Sequence, residues 1–425
     1  MTASGPSVLP AASQGYPGSS HSSSRQTGRV VRLRVLPRRP ALLAVLACLL
    51  VACLAIAGCG GSASSSGNFT PQPNFLGNND PNPQLPNPGI PQPSLSGSEP
   101  PGGTVPSGSP SSGAAQADAS VVASKLVEPT GLVVLPDGTA LVGERRSGRI
   151  YRVQPDGSAP ATVVQTLAGV DGSGDGGLQD LAISPSYAED GLIYAYLTTA
   201  TDNRVVHFPL GSAPSTVIGG IPRGTTGNTG RLAFDATGAL LTGTGDAGNP
   251  ALASLPTSLA GKLLRSDDIG KPLPDNPNPH SLVYARGFTE VAGLCVDPTS
   301  GSRLVVQRDQ VQLVRPGLDY ANAKPAARLP APLTGGGGCA LAAGQLLVAT
   351  AAGQAVAVAP VSKANAVGQF SAALSKAYGR LRTVVIAPDG AIWLTTRNRD
   401  GHGQPVPDDD RVIRLTAVDG AGSVL

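Results

Sequence analysis

The sequence of 425 residues is poor in aromatic side chains, in charge and in histidine. Only 4% of the residues are aromatic and 14% are charged, and the chain holds four His, one Trp and one Met. After residue 58, acidic residues outnumber basic ones by three, and no cluster of Lys and Arg is present. Because a nucleic-acid-binding surface needs concentrated positive charge, this balance argues against nucleic acid as a partner.

Several motifs of catalytic and metal-binding proteins are also missing. No Cys-x-x-Cys or His-x-x-x-His spacing occurs, so the sequence predicts no transition-metal site. No Gly-x-Ser-x-Gly segment occurs either, which excludes an α/β-hydrolase. The acidic run at residues 408–410 could bind Ca²⁺ weakly, but a solvated turn is the favoured interpretation.

Glycine and proline are by contrast abundant, with 55 and 40 residues. Both residues break helices, so the protein is not mainly helical. A collagen-like chain is excluded as well, because the glycines follow no Gly-x-y period.

The N-terminus has the pattern of an export signal. Arg38 and Arg39 precede seventeen apolar residues at 41–57, and a basic flank before a short apolar run is typical of a secretory signal. The four residues ending at Cys59 resemble a bacterial lipobox, whose cysteine is lipidated. We therefore predict a lipoprotein signal peptide over residues 1–58 and an exported protein held at the outer face of the cell membrane through Cys59. An uncleaved anchor is the alternative, and the export route, general secretory or twin-arginine, stays open.

The segment that follows Cys59 is built from Gly, Ser, Pro and Asn, and residues 60–118 contain no Lys or Arg. Such a segment buries too little apolar area to offset its ordering entropy. We expect residues 59–118 to form a lipidated, disordered linker that holds the folded domain, residues 119–425, away from the membrane.

One pattern recurs six times in the remaining chain: a short apolar strand, a turn and a second apolar strand. The turns are centred on Pro136, Pro185, Ala236, Pro298, Ala343 and Pro388, at intervals of 49, 51, 62, 45 and 45 residues. A third strand follows most copies, at 149–153, 204–208, 262–265, 311–314 and 411–415. Repeats of this length with three or four strands predict an all-β fold, a six-bladed β-propeller. A pair of β-sandwiches with chance similarity is the alternative.

Two cysteines, Cys295 and Cys339, occupy the first strands of the fourth and fifth repeats. Neighbouring blades bring such strands close together, and an exported protein meets an oxidising compartment, so a disulfide between them is expected. Two separate buried thiols are the alternative.

Five segments carry a resemblance to a known family. They are residues 129–153 (PTGLVVLPDGTALVGERRSGRIYRV), 174–178 (GDGGL), 230–232 with 245–247, 259–265 and 378–415. In order along residues 120–418, they are similar to the glucose/sorbosone dehydrogenase family, the soluble PQQ-dependent aldose dehydrogenases with a six-bladed propeller. The lipidated start, GNTG at 227–230 and TGDAG before a SLAGK segment also resemble the LppZ-type lipoproteins of actinobacteria.

The resemblance implies a site in which this chain departs from the family at most positions. The family's general base, a histidine that takes the proton of the sugar's C1 hydroxyl, falls at Gly227. Its cofactor-holding Arg-Asn-Pro falls at residues 289–291 (Thr-Glu-Val), its Ca²⁺-binding loop at residues 307–310 (Gln-Arg-Asp-Gln), and its cofactor lysine near Ala352.

Three positions keep a family-like side chain. The resemblance implies cofactor-binding roles for Arg380, Arg382 and Asp175. Arg380 and Arg382 could instead anchor a blade through carboxylates such as Asp389 or Asp400. The histidines offer no substitute base, since His207 is expected to be packed or at the surface, and His280 and His402 solvated.

These departures predict a membrane-anchored relative that has lost its catalytic base and cofactor site. It would act by binding a sugar, an anionic ligand or a partner at the mouth of the channel, as a monomer and without a metal or resident cofactor. The alternative is an active PQQ-dependent aldose dehydrogenase that uses PQQ and Ca²⁺. A purely structural envelope scaffold is a third possibility that no specific residue supports.

Overall fold

Each repeat of the sequence forms one four-stranded antiparallel sheet, and six such sheets make up the fold. The computed structural model of the protein describes residues 118–416. The predicted signal peptide at 1–58, the lipidation site Cys59 and the rest of the predicted linker up to residue 117 lie outside the described residues.

The first three blades follow the chain order, from an innermost to an outermost strand. Blade 1 consists of β2 (Pro129–Val134), β3 (Ala140–Glu144), β4 (Arg149–Val153) and β5 (Thr162–Thr166). Blade 2 consists of β6 (Leu178–Ile183), β7 (Leu192–Thr198), β8 (Asn203–Pro209) and β9 (Ser215–Ile221). Blade 3 consists of β10 (Gly230–Phe234), β11 (Leu240–Thr244), β12 (Lys262–Ser266) and β13 (Val283–Arg286).

Blades 4 and 5 repeat this arrangement, and blade 6 takes its outermost strand from the other end of the chain. Blade 4 consists of β14 (Gly293–Val296), β15 (Arg303–Gln307), β16 (Gln310–Leu313) and β17 (Ala327–Arg328). Blade 5 consists of β18 (Gly336–Ala342), β19 (Gln345–Thr350), β20 (Ala355–Pro360) and β21 (Ser371–Ala373). Blade 6 consists of β22 (Leu381–Ile386), β23 (Ile392–Thr396), β24 (Val412–Leu415) and β1 (Val121–Ala123).

The ring is closed by β1, which pairs antiparallel with β24. Val121 lies opposite Ile413, so the first and last described strands of the chain share one sheet. This pairing joins the two ends of the described chain within one sheet. The predicted six-bladed all-β propeller is thereby confirmed.

The core is divided among the boundaries between blades. Six clusters of buried side chains are present, and each draws its members from two neighbouring blades. At the boundary of blades 6 and 1, for example, Trp393 packs with Leu132, Val142 and Val412. A single blade cannot bury both of its faces, so each sheet is stabilised by the two sheets beside it.

Helical structure is confined to two short segments among the described residues, α1 (Tyr187–Asp190) and α2 (Pro250–Ser254). Asn249 caps α2 by accepting a hydrogen bond from Ala251 N, and Pro250 at the first helical position is typical of a helix start. Over residues 118–416, no helix has the length and apolar character needed to cross a membrane.

Candidate functional site

A cleft of about 280 Å³ lies at the end of the propeller where the innermost strands begin. We call it the mouth cleft. Its walls come from the starts of innermost strands, including Thr130 and Gln179, and from the loops between the second and third strands of blades 1 and 6, including Arg145 and Arg397. Four arginines and four carboxylates line it: Arg145, Arg146, Arg382, Arg397, Glu128, Asp175, Glu290 and Asp400.

Gly227, where the resemblance places the family's base, lies in a loop with no room for a side chain. Its φ of +74° is left-handed, a region that L-residues rarely adopt. A Cβ at this position would come within 2.4 Å of Gly248 N and 2.6 Å of Asp246 Oδ1. The loop at 246–248 therefore occupies the space that a side chain at residue 227 would need.

Asp175 holds this loop in place. Its carboxylate accepts hydrogen bonds from Gly227 N at 2.6 Å and from Asn228 Nδ2 at 2.7 Å. Asn228 Oδ1 in turn accepts from Asn203 Nδ2 at 3.1 Å, and Asn203 Oδ1 accepts from Thr198 Oγ1 at 2.7 Å. Asp175 therefore lines the mouth cleft, but its carboxylate accepts hydrogen bonds from the loop before β10.

Asp246 is a second buried carboxylate beside Gly227. It accepts a hydrogen bond from Gly248 N at 2.8 Å. Burial raises the pKa of Asp246, and the negative charge of Asp175 adds to the increase. The two carboxylates and the glycine between them form a closed turn rather than an open catalytic base.

Arg380 and Arg382 diverge in the structure. Arg380 binds Asp400 through Nε at 3.1 Å and Nη2 at 2.9 Å, and Asp400 also binds Arg397 Nε at 2.8 Å. Arg380 is absent from the lining of the mouth cleft. It has the blade-anchoring contact that the sequence offered as the alternative to cofactor binding.

Arg382 does line the mouth cleft. Among residues 118–416 it forms no ion pair, and its one hydrogen bond joins Nη2 to Gln179 Oε1 at 3.4 Å. Burial lowers the pKa of Arg382 well below the ordinary arginine value, as do the positive charges of Arg231 and Arg397, while Glu290 opposes the decrease. Among the described residues, no carboxylate is therefore paired directly with this guanidinium.

The segment 289–291 places its three residues in different surroundings. Thr289 is exposed and its N–H donates to Gln307 Oε1 at 3.1 Å. Val291 is fully buried and packs over Gly243, where a Cβ would lie 2.4 Å from Val291 Cγ1. Glu290 between them is half-buried and lines the mouth cleft, as Arg382 does.

Residues 307–310, where the resemblance places the family's Ca²⁺ loop, form a tight hairpin between β15 and β16, with Gln307 paired to Gln310. The two carbonyls at its tip are taken: Arg308 O accepts from Gly336 N at 3.1 Å, and Asp309 O accepts from Leu329 N at 3.0 Å. Among the described residues, no group of three or more His, Cys, Asp or Glu side chains converges as a metal site would require. Ala352, at the lysine position, faces a separate apolar groove beside Phe370.

Arg231, which follows Gly230 at the start of β10 in blade 3, links this blade to the neighbouring blades 2 and 4. Its Nε donates to Ala292 O at 2.6 Å and its Nη1 donates to Gln179 O at 3.0 Å. Asp180 Oδ1 lies 3.7 Å from Nη1, and burial raises the pKa of Asp180 although Arg231 opposes the increase. The sequence analysis did not identify the contacts of Arg231 or the contact of Gln179 with Arg382. The Gly-Arg-Leu segment at 230–232 was the signal that could have pointed to Arg231.

Other candidate residues lie away from the mouth cleft. Cys295 and Cys339 are joined by a disulfide between blades 4 and 5, with their Cα atoms 5.6 Å apart. His207 packs edge-on against Tyr194, with ring centroids 5.4 Å apart. His280 is exposed in a loop, and His402 is the one histidine that lines the cleft.

The acidic run at 408–410 is not the solvated turn that the sequence favoured. Asp409 and Asp410 are buried, with 1% and 0% exposure. Asp410 Oδ1 accepts from Asn398 N at 2.6 Å, and Asp409 Oδ1 accepts from Arg411 Nε at 2.8 Å. The prediction was wrong for these two residues because backbone donors and an arginine in the same loop satisfy their carboxylates. Asp408 alone is exposed.

Comparison with known proteins gives consistent results. The family model for glucose/sorbosone dehydrogenase matches residues 126–322. A PQQ-bound aldose sugar dehydrogenase from Streptomyces coelicolor is 35% identical with a TM-score of 0.65, and the match covers 69% of this chain and 95% of that one. A protein from Thermus thermophilus described as a putative oxidoreductase (glucose dehydrogenase) is 32% identical with a TM-score of 0.64, covering 70% and 98%.

Curated relatives match over a shorter region. Quinoprotein glucose dehydrogenase B from Acinetobacter calcoaceticus is 26% identical over 247 residues, which are 48% of this chain and 52% of that protein. The chain spans about half the length of the curated relatives that it matches. Together with the six blades, these matches establish that the chain belongs to the glucose/sorbosone dehydrogenase family.

Proposed function

We propose that this protein is an exported lipoprotein that binds a ligand in the mouth cleft and has lost the sugar-oxidising site of its family. Lipid on Cys59 would anchor it to the outer face of the cell membrane, with residues 59–118 as the linker. The observation that carries the proposal is the closed turn around Gly227, where the family has its general base.

A general base must reach the proton that it removes, within about 3 Å or through one water. Gly227 has no side chain, and its N–H is already bound to Asp175. The space that a side chain would enter is filled by Gly248 N and Asp246 Oδ1. The loop at 246–248 therefore leaves no room for a catalytic side chain at residue 227, which supports the loss of the base.

The residues at the cofactor positions do not fit PQQ with Ca²⁺. PQQ is a tricarboxylate and requires an excess of positive charge, whereas the mouth cleft balances four arginines against four carboxylates. Glu290 stands where the family places a neutral amide, and Arg380 is held by Asp400. The carbonyls of Arg308 and Asp309 accept backbone hydrogen bonds instead of facing a metal ion.

The cleft nevertheless keeps the features of a binding site. It is concave, lies at the end of the channel and contains Arg382, a guanidinium without an ion-pair partner among residues 118–416. Such a group favours binding of an anion or of a polar molecule with an acceptor pointed at it. A small polar ligand, held by a monomer, is the function that this geometry supports best.

The second candidate is an active PQQ-dependent aldose dehydrogenase with a rearranged site. It is favoured by the 35% identity to the PQQ-bound enzyme of Streptomyces coelicolor and by the position of Arg382 at the mouth cleft.

Reconstitution separates the two. The full chain, purified in detergent, is mixed with PQQ and Ca²⁺, and reduction of an electron-accepting dye is followed with a panel of aldoses. We expect no turnover above that of free PQQ. In calorimetry, PQQ should show no binding that depends on Arg382, so the wild type and Arg382→Ala should give the same heats. Saturable, aldose-dependent dye reduction would overturn the binding proposal in favour of the enzyme.

A further inference from the structure

Most of the charges in the mouth cleft are matched within the protein. Glu128 binds Arg145 at 2.6 Å and Arg146 at 2.9 Å. Asp400 binds Arg397 at 2.8 Å. Asp175 is satisfied by the N–H groups of residues 227 and 228. Two opposite charges are left over, Arg382 and Glu290.

Arg382 presents a cation that the protein does not neutralise. A guanidinium has five N–H donors, and the single contact of Arg382 with Gln179 Oε1 is long, at 3.4 Å. Burial and the charges of Arg231, Arg397 and Arg145 lower its pKa, and Glu290 opposes the decrease. Asp180, which also interacts with this charge, lies beside Arg231 instead. A carboxylate placed on this guanidinium would form the bidentate pair that arginine geometry favours.

Glu290 presents the complementary anion. It lies in the turn before β14, between exposed Thr289 and buried Val291, and it is half-buried. Its carboxylate has no hydrogen bond or ion pair among residues 118–416, although it lines the same cleft as Arg382. The two side chains line the same cleft without forming an ion pair with each other, so each charge is left open to a ligand.

We propose that the mouth cleft binds a small zwitterion, an amino-carboxylate whose carboxylate is held by Arg382 and whose ammonium group is held by Glu290. The inference rests on the proposed binding function and names its ligand class. A dianion would face Glu290, and a simple cation would face Arg382. A neutral sugar would cover both charges without pairing either, which costs free energy when charges lose water.

The ligand's charge spacing can be measured with a graded series. The probes are glycine, β-alanine, 4-aminobutyrate and 6-aminohexanoate, titrated calorimetrically into the full chain purified in detergent. Each probe is paired with its N-acetyl derivative, which lacks the positive charge, and its amide, which lacks the negative charge. We expect one spacing to bind best and both blocked forms to bind at least about tenfold more weakly.

Two variants assign the contacts. Arg382→Gln should remove the preference for the free carboxylate over the amide, and Glu290→Gln should remove the preference for the free amine over the N-acetyl form. The matched control is Arg152→Gln, which removes an arginine that pairs with Asp137 in blade 1, away from the mouth cleft. Thermal unfolding of all three variants verifies that they are folded.

Every other outcome overturns the zwitterion inference. The kind of outcome also shows whether the proposed binding function stands or falls with it. Equal binding of the amino acid and its N-acetyl form would reveal an anion site, leaving the binding function intact. The zwitterion inference would also fall, and the binding function would stand, if a neutral aldose gave heat of binding while no member of the series did so at millimolar concentration. Aldose-dependent dye reduction with PQQ and Ca²⁺ would overturn both proposals.

Discussion

The carboxylate of Asp175 and the backbone N–H of Gly227 are joined by a hydrogen bond of 2.6 Å. This bond fixes a left-handed glycine at the position where the resemblance places the family's catalytic histidine. A histidine at residue 227 would therefore require changes in the neighbouring loop as well, since Gly248 N and Asp246 Oδ1 lie where its Cβ would be.

Gly227→His should neither restore activity nor be tolerated structurally. A Cβ in the left-handed region costs about 1 kcal/mol or more, and contact with Gly248 N and Asp246 Oδ1 adds to it. We expect a loss of at least about 2 kcal/mol in the free energy of unfolding, measured by urea denaturation, and no dye reduction with PQQ and Ca²⁺.

The control for this prediction separates backbone strain from steric contact. Gly169 also has a left-handed φ, +77°, but nothing lies within 4 Å of the position that a Cβ would take there. Gly227→Ala should cost clearly more than Gly169→Ala. Equal losses would show that the loop at 246–248 yields easily, and would weaken the argument that the site is closed.

Asp235 should make the protein sensitive to acid. Burial opposes its ionisation, but hydrogen bonds from Thr237 and Arg303 prevail and lower the pKa of Asp235 to about 2. The pKa of Asp235 is lower in the folded protein than in the unfolded chain. Ionised Asp235 therefore stabilises the fold above about pH 4, and this stabilisation is lost as the pH falls towards 2. It amounts to about 2 kcal/mol.

Asp235→Asn tests this pH dependence. At pH 7 the variant should be less stable than the wild type, because Arg265 and Arg303 lose their shared carboxylate. The difference should shrink between pH 4 and pH 2, as wild-type Asp235 becomes protonated. A difference that is constant over this range, in urea denaturation at each pH, would contradict the assignment.

Lys262 should stabilise the loop after α2. Its side chain is fully buried, and Nζ donates to the carbonyls of Leu252 at 2.7 Å, Ala253 at 2.7 Å and Ala260 at 2.5 Å. Lys262→Met would keep the apolar stem and leave three buried acceptors without a donor. We expect a loss of about 2–4 kcal/mol in the free energy of unfolding, measured by urea denaturation at pH 7.

The same residue predicts a change at alkaline pH. Burial lowers the pKa of Lys262 to about 8, below its value in the unfolded chain, so between these values the unfolded chain binds a proton that the folded chain does not. Stability should therefore rise with pH from about 8 to about 10. Lys262→Met should lack this increment. An identical pH slope in both proteins would contradict the prediction.

The disulfide between blades 4 and 5 should contribute to stability. Cys295 and Cys339 are 44 residues apart, and closing a loop of that length stabilises a protein by about 2–4 kcal/mol. The double variant Cys295→Ser, Cys339→Ser should melt at a lower temperature than the wild type, and a reductant should lower the melting temperature of the wild type alone. Mass spectrometry of a non-reduced digest that finds two free thiols would refute the pairing.

Cys59→Ser should release the protein from the membrane. If Cys59 carries the lipid, the wild type expressed in an actinobacterial host should partition into detergent, and the variant should stay in the aqueous phase or keep its signal peptide. Cys48→Ser is the matched control, because Cys48 lies within the apolar run. Detergent partitioning of a processed Cys59→Ser protein would rule out this anchor.

The blade count could be predicted from the sequence, whereas the fate of the two arginines in the sixth repeat could not. Alternate residues of a regular strand share a face, which placed Arg380 and Arg382 together. The pairing of β22 with β23 is irregular between Leu381 and Thr383. Arg380 therefore turns to Asp400, and Arg382 alone reaches the mouth cleft.

The closure of the ring shows a similar limit. Val121–Ala123 resembles any other apolar strand in the sequence, and its partner β24 lies almost 300 residues away. Nothing local distinguishes an outermost strand of the last blade from a first strand of the first blade. The choice is made only in the folded ring, where β1 pairs with β24.

The sequence by itself determined what depends on neighbours along the chain: the six strand–turn–strand units, their spacing and the glycine at residue 227. Turn chemistry and apolar alternation are local properties, so they can be read from consecutive residues. The tertiary structure decided which charges are matched, leaving Arg382 and Glu290 unpaired in one cleft. Ion pairing depends on distances between residues from different blades, and these exist only once the ring has closed.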